Sequence, residues 1–253
     1  MEYKYTQAHA SYEMYAAGGV FYSAPGLTAF PVRLAVEIFR RCQALRAAQG
    51  ADGPAVVYDP CCGSGYHLAT MAYFNWDQIA GIYASDIDED ALRVAARNLS
   101  LLTLNGMDRR IAELTDLQQQ YGKVSHRVAL MHAEELRQHL VGAVAHHPLV
   151  TQIFRADATN AAAVYAALPE AKVDIVLTDI PYGRLAGWGV DSLALVQGND
   201  PIHQLLESLL PVLSDHAVLA IAAAKKDKLV HRSYARLARL QVGTRQIALL
   251  RRT

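Results

Sequence analysis

The sequence predicts an α/β fold with a mostly parallel seven-stranded sheet and helices on both of its faces. Three observations predict it. Short apolar segments alternate with segments of helical spacing from about residue 56 to the end, several apolar segments stop at an acidic residue, and the last two flank Gly243-Thr244. Because such a Gly-containing turn joins antiparallel strands, the sheet is expected to end in an antiparallel hairpin.

The predicted strands are short apolar runs bounded by turn residues. In chain order they are residues 56–58, 82–85, 152–155, 173–178, 217–223, 237–242 and 245–250. The predicted helices among them are residues 66–76, 91–102, 161–168 and 201–213. Asp88 is placed to cap the second of these helices, and Pro201 stands in the first turn of the last one, where proline is tolerated.

Two further segments extend this frame within what is expected to be a single domain of 253 residues. Residues 1–55 precede the first strand and contain a predicted helix at 31–48, so they form an N-terminal helical extension. Residues 104–150 separate the second helix from the third strand, where a link of a few residues normally suffices. The apolar spacing there predicts a helical insertion of two helices.

Composition restricts the class of protein. The 24 basic and 24 acidic side chains cancel, and the ten histidines are scattered. The three cysteines are odd in number and two are adjacent, which suits neither a disulfide framework nor the paired ligands of a zinc site. No apolar run has the length of a membrane span, and the first residues lead into no signal core. We therefore expect a cytoplasmic, monomeric protein with reduced thiols and without a metal.

The first chemical motif is the turn after the first strand, Asp59-Pro60-Cys61-Cys62-Gly63-Ser64-Gly65. A strand that ends in a Gly-rich turn and feeds a helix makes a nucleotide pocket, because glycine lets the backbone approach the ligand. A phosphate-binding loop would need Gly-Lys-Ser/Thr, and a dinucleotide fingerprint would need a glycine where Leu68 stands. S-adenosylmethionine remains, since its binders often carry an acid before Gly-x-Gly. Cys61 is expected in the pocket wall.

Acidic residues at the ends of the next two strands support this ligand. Asp86 follows the second strand, where a carboxylate accepts both ribose hydroxyls. Asp157 follows the third strand, where it is placed to accept from the adenine amino group. Together with Asp59 these residues are expected along one edge of the sheet. The sequence therefore predicts a site for S-adenosylmethionine at the carboxyl ends of adjacent strands.

The second chemical motif ends the fourth strand. Asp179-Ile180-Pro181-Tyr182-Gly183 resembles the Asp/Asn-Pro-Pro-Tyr signature of methyltransferases that act on a nitrogen of nucleobases. Asp179 and the Ile180 carbonyl are expected to hold the N–H groups of the base, and Pro181 to fix the backbone that aims them. Tyr182 offers a ring on which an extruded base stacks. Ile180 replaces the first proline of the signature, which leaves open whether an exocyclic amino group or a ring nitrogen is attacked. For a ring nitrogen, Asp179 is expected to accept the proton.

Five sequence blocks together resemble the AviRa family of avilamycin-resistance 23S ribosomal RNA methyltransferases. They are Ser23-Ala24-Pro25-Gly26, residues 29–35, residues 59–66, residues 178–183 and Val242-Gly243-Thr244-Arg245. The blocks span most of the chain, and the insertion at 104–150 matches only in type and length. The resemblance implies a class I, Rossmann-like methyltransferase that methylates a guanine base of 23S ribosomal RNA and so blocks an orthosomycin antibiotic.

The resemblance also assigns site residues, motif by motif. It places Asp59, Gly63 and Gly65 in the cofactor loop and Asp86 at the ribose. It places residues 179–182 in the target-base pocket, with Asp179 bordering the cofactor as well. Arg33, on the helix before the first strand, is positioned to reach the methionine carboxylate, and a plain surface arginine is the alternative.

The basic C-terminal end is a candidate RNA surface on an otherwise neutral chain. Residues 222–253 hold nine basic side chains against one acid, Asp227, and solubilising charge on edge strands explains them equally well. The insertion at 104–150 is a second candidate contact. Three other functions stay open at this point: a small-molecule N-methyltransferase, a tRNA guanine methyltransferase and a non-catalytic RNA-binding module.

Overall fold

Seven strands form one sheet within residues 2–6, 11–168, 172–180 and 200–253, which the computed structural model describes. They are β1 (Ala55–Asp59), β2 (Ile79–Asp86), β3 (Val150–Arg155), β4 (Val173–Asp179), β5 (Leu213–Ala224), β6 (Tyr234–Val242) and β7 (Arg245–Arg252). The order across the sheet is β3-β2-β1-β4-β5-β7-β6. The first five strands pair in parallel, and β7 is antiparallel to both β5 and β6. The predicted sheet and its closing hairpin are confirmed.

Seven α-helices lie in the described part of the chain. They are α1 (Val32–Ala47), α2 (Tyr66–Asn75), α3 (Glu89–Ser100), α4 (Leu104–Tyr121), α5 (Val124–His146), α6 (Ala161–Ala167) and α7 (Pro201–Leu209). Asp88 caps α3, as predicted, by accepting the N–H of Asp90 at 2.8 Å. The predicted last helix is shorter than expected, because α7 ends at Leu209 and a 3-10 turn continues it to Val212. None of these helices is long and apolar enough to cross a bilayer.

The central strands are buried on both faces. Val57 and Ile175 belong to a cluster with α1, α2 and the insertion, whereas their neighbours Tyr58 and Val176 pack with α6 and α7 on the opposite face. Since successive side chains of a strand alternate between faces, both sets have to be apolar. This explains why these strands appear in the sequence as continuous apolar runs.

The N-terminal extension and the insertion pack against each other on the α1 face of the sheet. The insertion is the α4–α5 helix pair, and Arg110 of α4 donates to the carbonyls of Gly19 at 2.7 Å and Val20 at 2.8 Å. Tyr22 of the extension donates its hydroxyl to Glu113 of α4 at 2.9 Å. The two segments added to the basic α/β frame therefore form one layer beside the start of α2.

The first residues of the chain are held to α1 by a buried carboxylate. Glu37 accepts three successive backbone N–H groups, from Lys4, Tyr5 and Thr6, at 2.8, 2.8 and 3.0 Å. Arg41, one turn later, lies 2.7 Å from the same carboxylate and balances its charge. Because a buried carboxylate needs donors to replace water, Glu37 and the N-terminal backbone stabilise each other.

We predict opposite effects from two glycine substitutions in the insertion. A Cβ at Gly106 in α4 would lie 1.9 Å from the carbonyl oxygen of Ser100, so Gly106→Ala should lower the free energy of unfolding by about 1–3 kcal/mol or more. A Cβ at Gly142 in α5 meets nothing within 4 Å, so Gly142→Ala should raise it by about 0.5–1 kcal/mol. Urea denaturation measures both, and equal midpoints for the two variants would contradict the close approach of α3 and α4.

Candidate active site

The Gly-rich loop after β1 folds back onto the end of β2. Asp59 is fully buried and accepts the N–H of Cys61 at 3.0 Å, and Cys62 donates its N–H to Ser85 of β2 at 2.9 Å. Gly63 and Gly65 both have positive φ, +52° and +63°. A Cβ at Gly65 would also lie 3.1 Å from the Cβ of Ala95, so α2 starts against α3 only because this residue has no side chain.

Asp86 holds the same loop from the end of β2. One carboxylate oxygen accepts the N–H of Gly63 at 2.8 Å, and the other accepts the N–H of Asp88 at 3.0 Å. Burial raises the pKa of this carboxyl and the charge of Asp59 adds to the rise, while the two backbone donors oppose it. Each oxygen keeps a second lone pair for another donor.

Asp157 stands two residues beyond the end of β3. A single oxygen of its carboxylate accepts both the backbone N–H of Thr159 at 2.8 Å and the hydroxyl of Thr159 at 2.7 Å. The turn is joined to the end of β2, because Ala156 donates its N–H to the carbonyl of Asp86 at 3.2 Å. The carboxylate is therefore held in place through one oxygen.

Cys61 lies among the three acids. Burial raises the pKa of its thiol well above the ordinary value, and the charges of Asp59, Asp86 and Asp157 raise it further. One sulfur atom is thus within electrostatic range of all three carboxylates, so the structure brings together the acids that the sequence placed at one sheet edge. A thiol held protonated is a poor nucleophile, which suits a wall residue.

Asp179 ends β4 and lies next to β5 and β7. Ile180 is buried and donates its N–H to the carbonyl of Ala222 at 3.0 Å, which continues the β4–β5 pairing past the end of the strand. A carboxylate oxygen of Asp179 is 3.4 Å from the guanidinium of Arg245, the first residue of β7. The predicted partners Pro181 and Tyr182 lie outside the described residues.

His67, in the first turn of α2, is a site residue that sequence reasoning did not single out. Its Nε2 lies 2.9 Å from a carboxylate oxygen of Asp59, which is the distance of an ion pair. The two groups are not aligned as a hydrogen bond. Burial alone lowers the pKa of this imidazole, but the contact with Asp59 and the charges of Asp59 and Asp179 outweigh it, so the pKa is raised. The ring also packs 5.7 Å from that of Phe30, and it links the loop acid to the acid that ends β4.

Arg33 does not join this group of acids in the structure. Its guanidinium donates to the hydroxyl and to the carbonyl of Thr6, both at 3.4 Å, and lies 3.9 Å from the centre of the Tyr3 ring. These contacts tie the first turn of α1 to the N-terminal segment. The predicted contact of Arg33 with the methionine carboxylate stays a prediction.

The N-terminal extension forms one side of the loop. The buried side chain of Asn98 in α3 accepts the N–H of Tyr22 at 2.8 Å and donates to the carbonyls of Tyr22 and Ser64 at 3.0 and 2.9 Å. Tyr66, at the start of α2, donates its hydroxyl to the carbonyl of Tyr15 at 2.6 Å. The extension is thereby joined to the second half of the turn, at Ser64 between the two glycines and at Tyr66 directly after them.

Two groups of potential metal ligands occur among the described residues. They are Asp77, His146 and His147, and His203, Glu207 and His231. In the second group, Nδ1 of His231 accepts the N–H of Ser233 at 3.1 Å, so the neutral ring carries its proton on Nε2, 3.0 Å from Glu207. In the first, Nε2 of His147 lies 3.2 Å from the carbonyl of Ile79.

The strand order, with β7 antiparallel between β5 and β6, and the acid-lined Gly-rich loop after β1 define a class I methyltransferase. Residues 1–245 match the family described as rRNA methyltransferase AviRa, and the chain belongs to that family. The family predicted from five sequence blocks is therefore confirmed.

Individual relatives agree with this assignment. A Streptomyces viridochromogenes protein named 23S rRNA (guanine(2535)-N(1))-methyltransferase is 39% identical over 236 residues, which are 93% of this chain and 90% of that protein. A structure of rRNA methyltransferase AviRa from the same organism, solved at 1.5 Å, matches with a TM-score of 0.83 at 36% identity and covers 96% of this chain and 93% of its own. A second, at 2.4 Å, gives a TM-score of 0.82 at 36% identity with 95% and 92% coverage.

We predict that His67→Gln removes a stabilisation that depends on pH. Since the folded-state pKa of His67 is raised, its ion pair with Asp59 contributes fully below the ordinary imidazole pKa of about 6.5 and is lost as pH rises through the folded-state value. Breaking a buried pair costs about 3–5 kcal/mol, so the variant should be weakest relative to wild type near pH 6.

Urea denaturation of both proteins between about pH 6 and pH 9 measures this difference. His139→Gln, at an exposed position on α5, is the matched control and should leave the profile unchanged. A stability loss of constant size across the range would show that His67 stabilises the loop through packing alone.

Proposed function

We propose that this protein transfers the methyl group of S-adenosylmethionine to N1 of a guanine in 23S ribosomal RNA. The observation that carries the proposal is the row of four carboxylates, Asp59, Asp86, Asp157 and Asp179, at the ends of four adjacent parallel strands. Ligands of open α/β sheets bind outside the carboxyl ends of the strands, where the first three acids suit the cofactor and the fourth suits the base. The name of the Streptomyces viridochromogenes relative supports the substrate and the nitrogen.

The residues present fit the cofactor. Each oxygen of Asp86 keeps a lone pair for a ribose hydroxyl, and the exposed apolar side chain of Ile87 follows directly, beside the expected position of the adenine. A Cβ at Gly63 would meet nothing within 4 Å, which leaves space for a ligand against the backbone. We assign the adenine amino group to Asp157 and the methionine end to the loop with Cys61 as its wall. Arg33, in the first turn of α1, stays our candidate for the methionine carboxylate.

Asp179 is the residue that we assign to the chemistry. Guanine N1 carries a proton, so the nitrogen has to lose it to gain a lone pair that attacks carbon, and a carboxylate at hydrogen-bond distance accepts such a proton. Tyr182, the stacking partner in this proposal, follows three residues later in the sequence. S-adenosylmethionine supplies an already activated methyl group, so the chain mainly orients the base and excludes water.

Methyl transfer from labelled S-adenosylmethionine to separate pools of 23S RNA, tRNA and metabolites tests the proposal. Label should enter 23S RNA, and mass spectrometry of the isolated nucleoside should identify N1-methylguanosine. Label in tRNA or in a small molecule alone would replace the proposed substrate. Transfer to none of the pools, with S-adenosylhomocysteine still bound, would favour a non-catalytic RNA-binding module. A separate experiment tests resistance: a sensitive host that expresses the protein is grown on avilamycin.

We predict that substitutions of Asp86 and Asp179 separate cofactor binding from catalysis. Asp179→Asn removes the proton acceptor and should lower the rate of transfer by about 10²–10⁴-fold, while calorimetry should detect S-adenosylhomocysteine binding of near wild-type strength. Asp86→Ala loses two ribose hydrogen bonds to a charged group, each about 1.5–3 kcal/mol, and should abolish measurable binding. Equal loss of binding in both variants would contradict this division.

The RNA-binding surface that we propose is the basic turn after β5, made of Lys225, Lys226 and Lys228. All three side chains are exposed, and the turn adjoins the start of β7 because Lys225 donates its N–H to the carbonyl of Thr244 at 3.3 Å. One carboxylate oxygen of the nearby Asp227 accepts the N–H of Ala224 at 3.0 Å. The turn therefore offers positive charge at the same sheet edge as Asp179.

By contrast, the insertion between residues 104 and 146 holds five basic and five acidic side chains and has no net charge.

We predict that exchanging these three lysines for glutamate weakens RNA binding and flattens its dependence on salt. Each lost phosphate contact should lower the slope of log K against log salt by about 0.7–0.9. Filter binding at several salt concentrations measures the slope. The matched control exchanges Lys123 and Arg127, two exposed basic residues of the insertion, and should leave the slope unchanged. A flatter slope in the control alone would move the RNA surface to the insertion.

A further inference from the structure

Arg245 shares a sheet face with Asp179. Asp179 pairs with Ala222 across β4 and β5, and Ala222 pairs with Ile247 across β5 and β7. Paired residues point to the same face, as do residues two apart on one strand, so Arg245 projects with Asp179 on the side of α1 and α2. Its guanidinium reaches back across β5 to 3.4 Å from the carboxylate.

The backbone that carries Arg245 is held firmly. Gln246 is buried, and its side-chain amide donates to the carbonyls of Ala224 at 2.8 Å and Asp227 at 2.6 Å. These bonds join the start of β7 to the turn after β5. The guanidinium itself lies 5.4 Å from the centre of the Phe30 ring. This support fixes the backbone position from which the guanidinium reaches a ligand, which is a requirement for precise recognition.

The pair presents an acceptor beside a donor in a half-buried place. The Asp179 side chain is 17% exposed and that of Arg245 22%, so water screens their contacts less than it does on the open surface. The Watson–Crick edge of guanine carries the complementary pattern, with a donor at N1 and an acceptor at O6. Adenine carries the reverse pattern, an acceptor at N1 and a donor at position 6. With Asp179 at the reacting nitrogen, guanine is the one of the two purines that gives the arginine an oxygen to bind.

We propose that Arg245 determines base specificity by donating to O6 of the target guanine, an inference that rests on the proposed function. When Asp179 takes the N1 proton, the negative charge left on the base is shared between N1 and O6, and the guanidinium stabilises it there. N1 then forms its bond to the methyl carbon, while the carbon–sulfur bond breaks and leaves its electron pair on sulfur. The proton ends on the Asp179 carboxylate.

Transfer of the guanidinium from carboxylate to base also assists the proton transfer. An adjacent positive charge favours the ionised form of a carboxyl group and so weakens it as a proton acceptor. As Arg245 turns toward O6, Asp179 loses part of that stabilisation and becomes a stronger acceptor. The contact between the two residues thus holds both in place before the base enters and gives way when it does.

The test compares Arg245→Ala and Arg245→Lys with Arg93→Ala, a variant with the same loss of charge at an exposed position on α3. Loss of one donor to a developing oxyanion lowers kcat by about 10²–10³-fold, and we expect that loss in Arg245→Ala on RNA that carries the target guanine. The lysine variant, which keeps a donor, should recover part of it. Arg93→Ala should match wild type.

Two further readouts separate recognition of O6 from a structural or phosphate-binding role. The ratio of wild-type to Arg245→Ala rates should shrink as pH rises, because solvent then helps to remove the N1 proton. Among the described residues, His67 of α2 lies within electrostatic range of Asp179, and it is present in both proteins. The salt slope of RNA binding should not change, since no phosphate contact is lost.

A rate ratio that is constant with pH would overturn the proposal and leave Arg245 as a brace between β7 and β4. A salt slope lower by about 0.7–0.9, with KM raised and kcat intact, would also overturn it, in favour of a phosphate contact. Failure of the proposed function is distinguishable, because the wild-type product would then not be N1-methylguanosine, whatever the variants do.

Discussion

The accumulation of negative charge at one sheet edge is the constraint on which the rest of the site depends. Parallel strands deliver their carboxyl ends to the same place, so Asp59, Asp86, Asp157 and Asp179 meet there. A buried carboxylate is stable only when it has donors or a cation close by. The fold supplies backbone N–H groups to Asp59, Asp86 and Asp157, with His67 beside Asp59, and the Arg245 guanidinium to Asp179. The Gly-rich loop after β1, helix α2 and the β6–β7 hairpin each contribute one of these partners.

The frame of the protein was predictable because it depends on local patterns. Apolar runs that end at Asp59 and Asp86 gave the strands and the acids that follow them, and Asp88 marked the start of α3. Boundaries were less certain where geometry changes gradually, as at the end of α7, where α-helix passes into a 3-10 turn.

The compensating side chains were not predictable in the same way. His67 belongs to no recognised motif, and only the left-handed turn at Gly65 brings it back to Asp59. A histidine in the first turn of a helix that follows a buried acid is the signal that would have found it. Arg245 is separated from Asp179 by 66 positions, and its role needs the register of three strands. The position of Arg33 depends on a segment of irregular backbone, for which sequence periodicity gives no guide.

The side-chain amide of Asn98 affects the stability of the whole N-terminal third of the chain. Asn98 joins Tyr22 of the extension to Ser64 of the ligand loop, so order in one segment favours order in the other. Any molecule that binds the loop only in its folded form must then stabilise residues that it never touches. The extension is in this sense a linked part of the binding equilibrium.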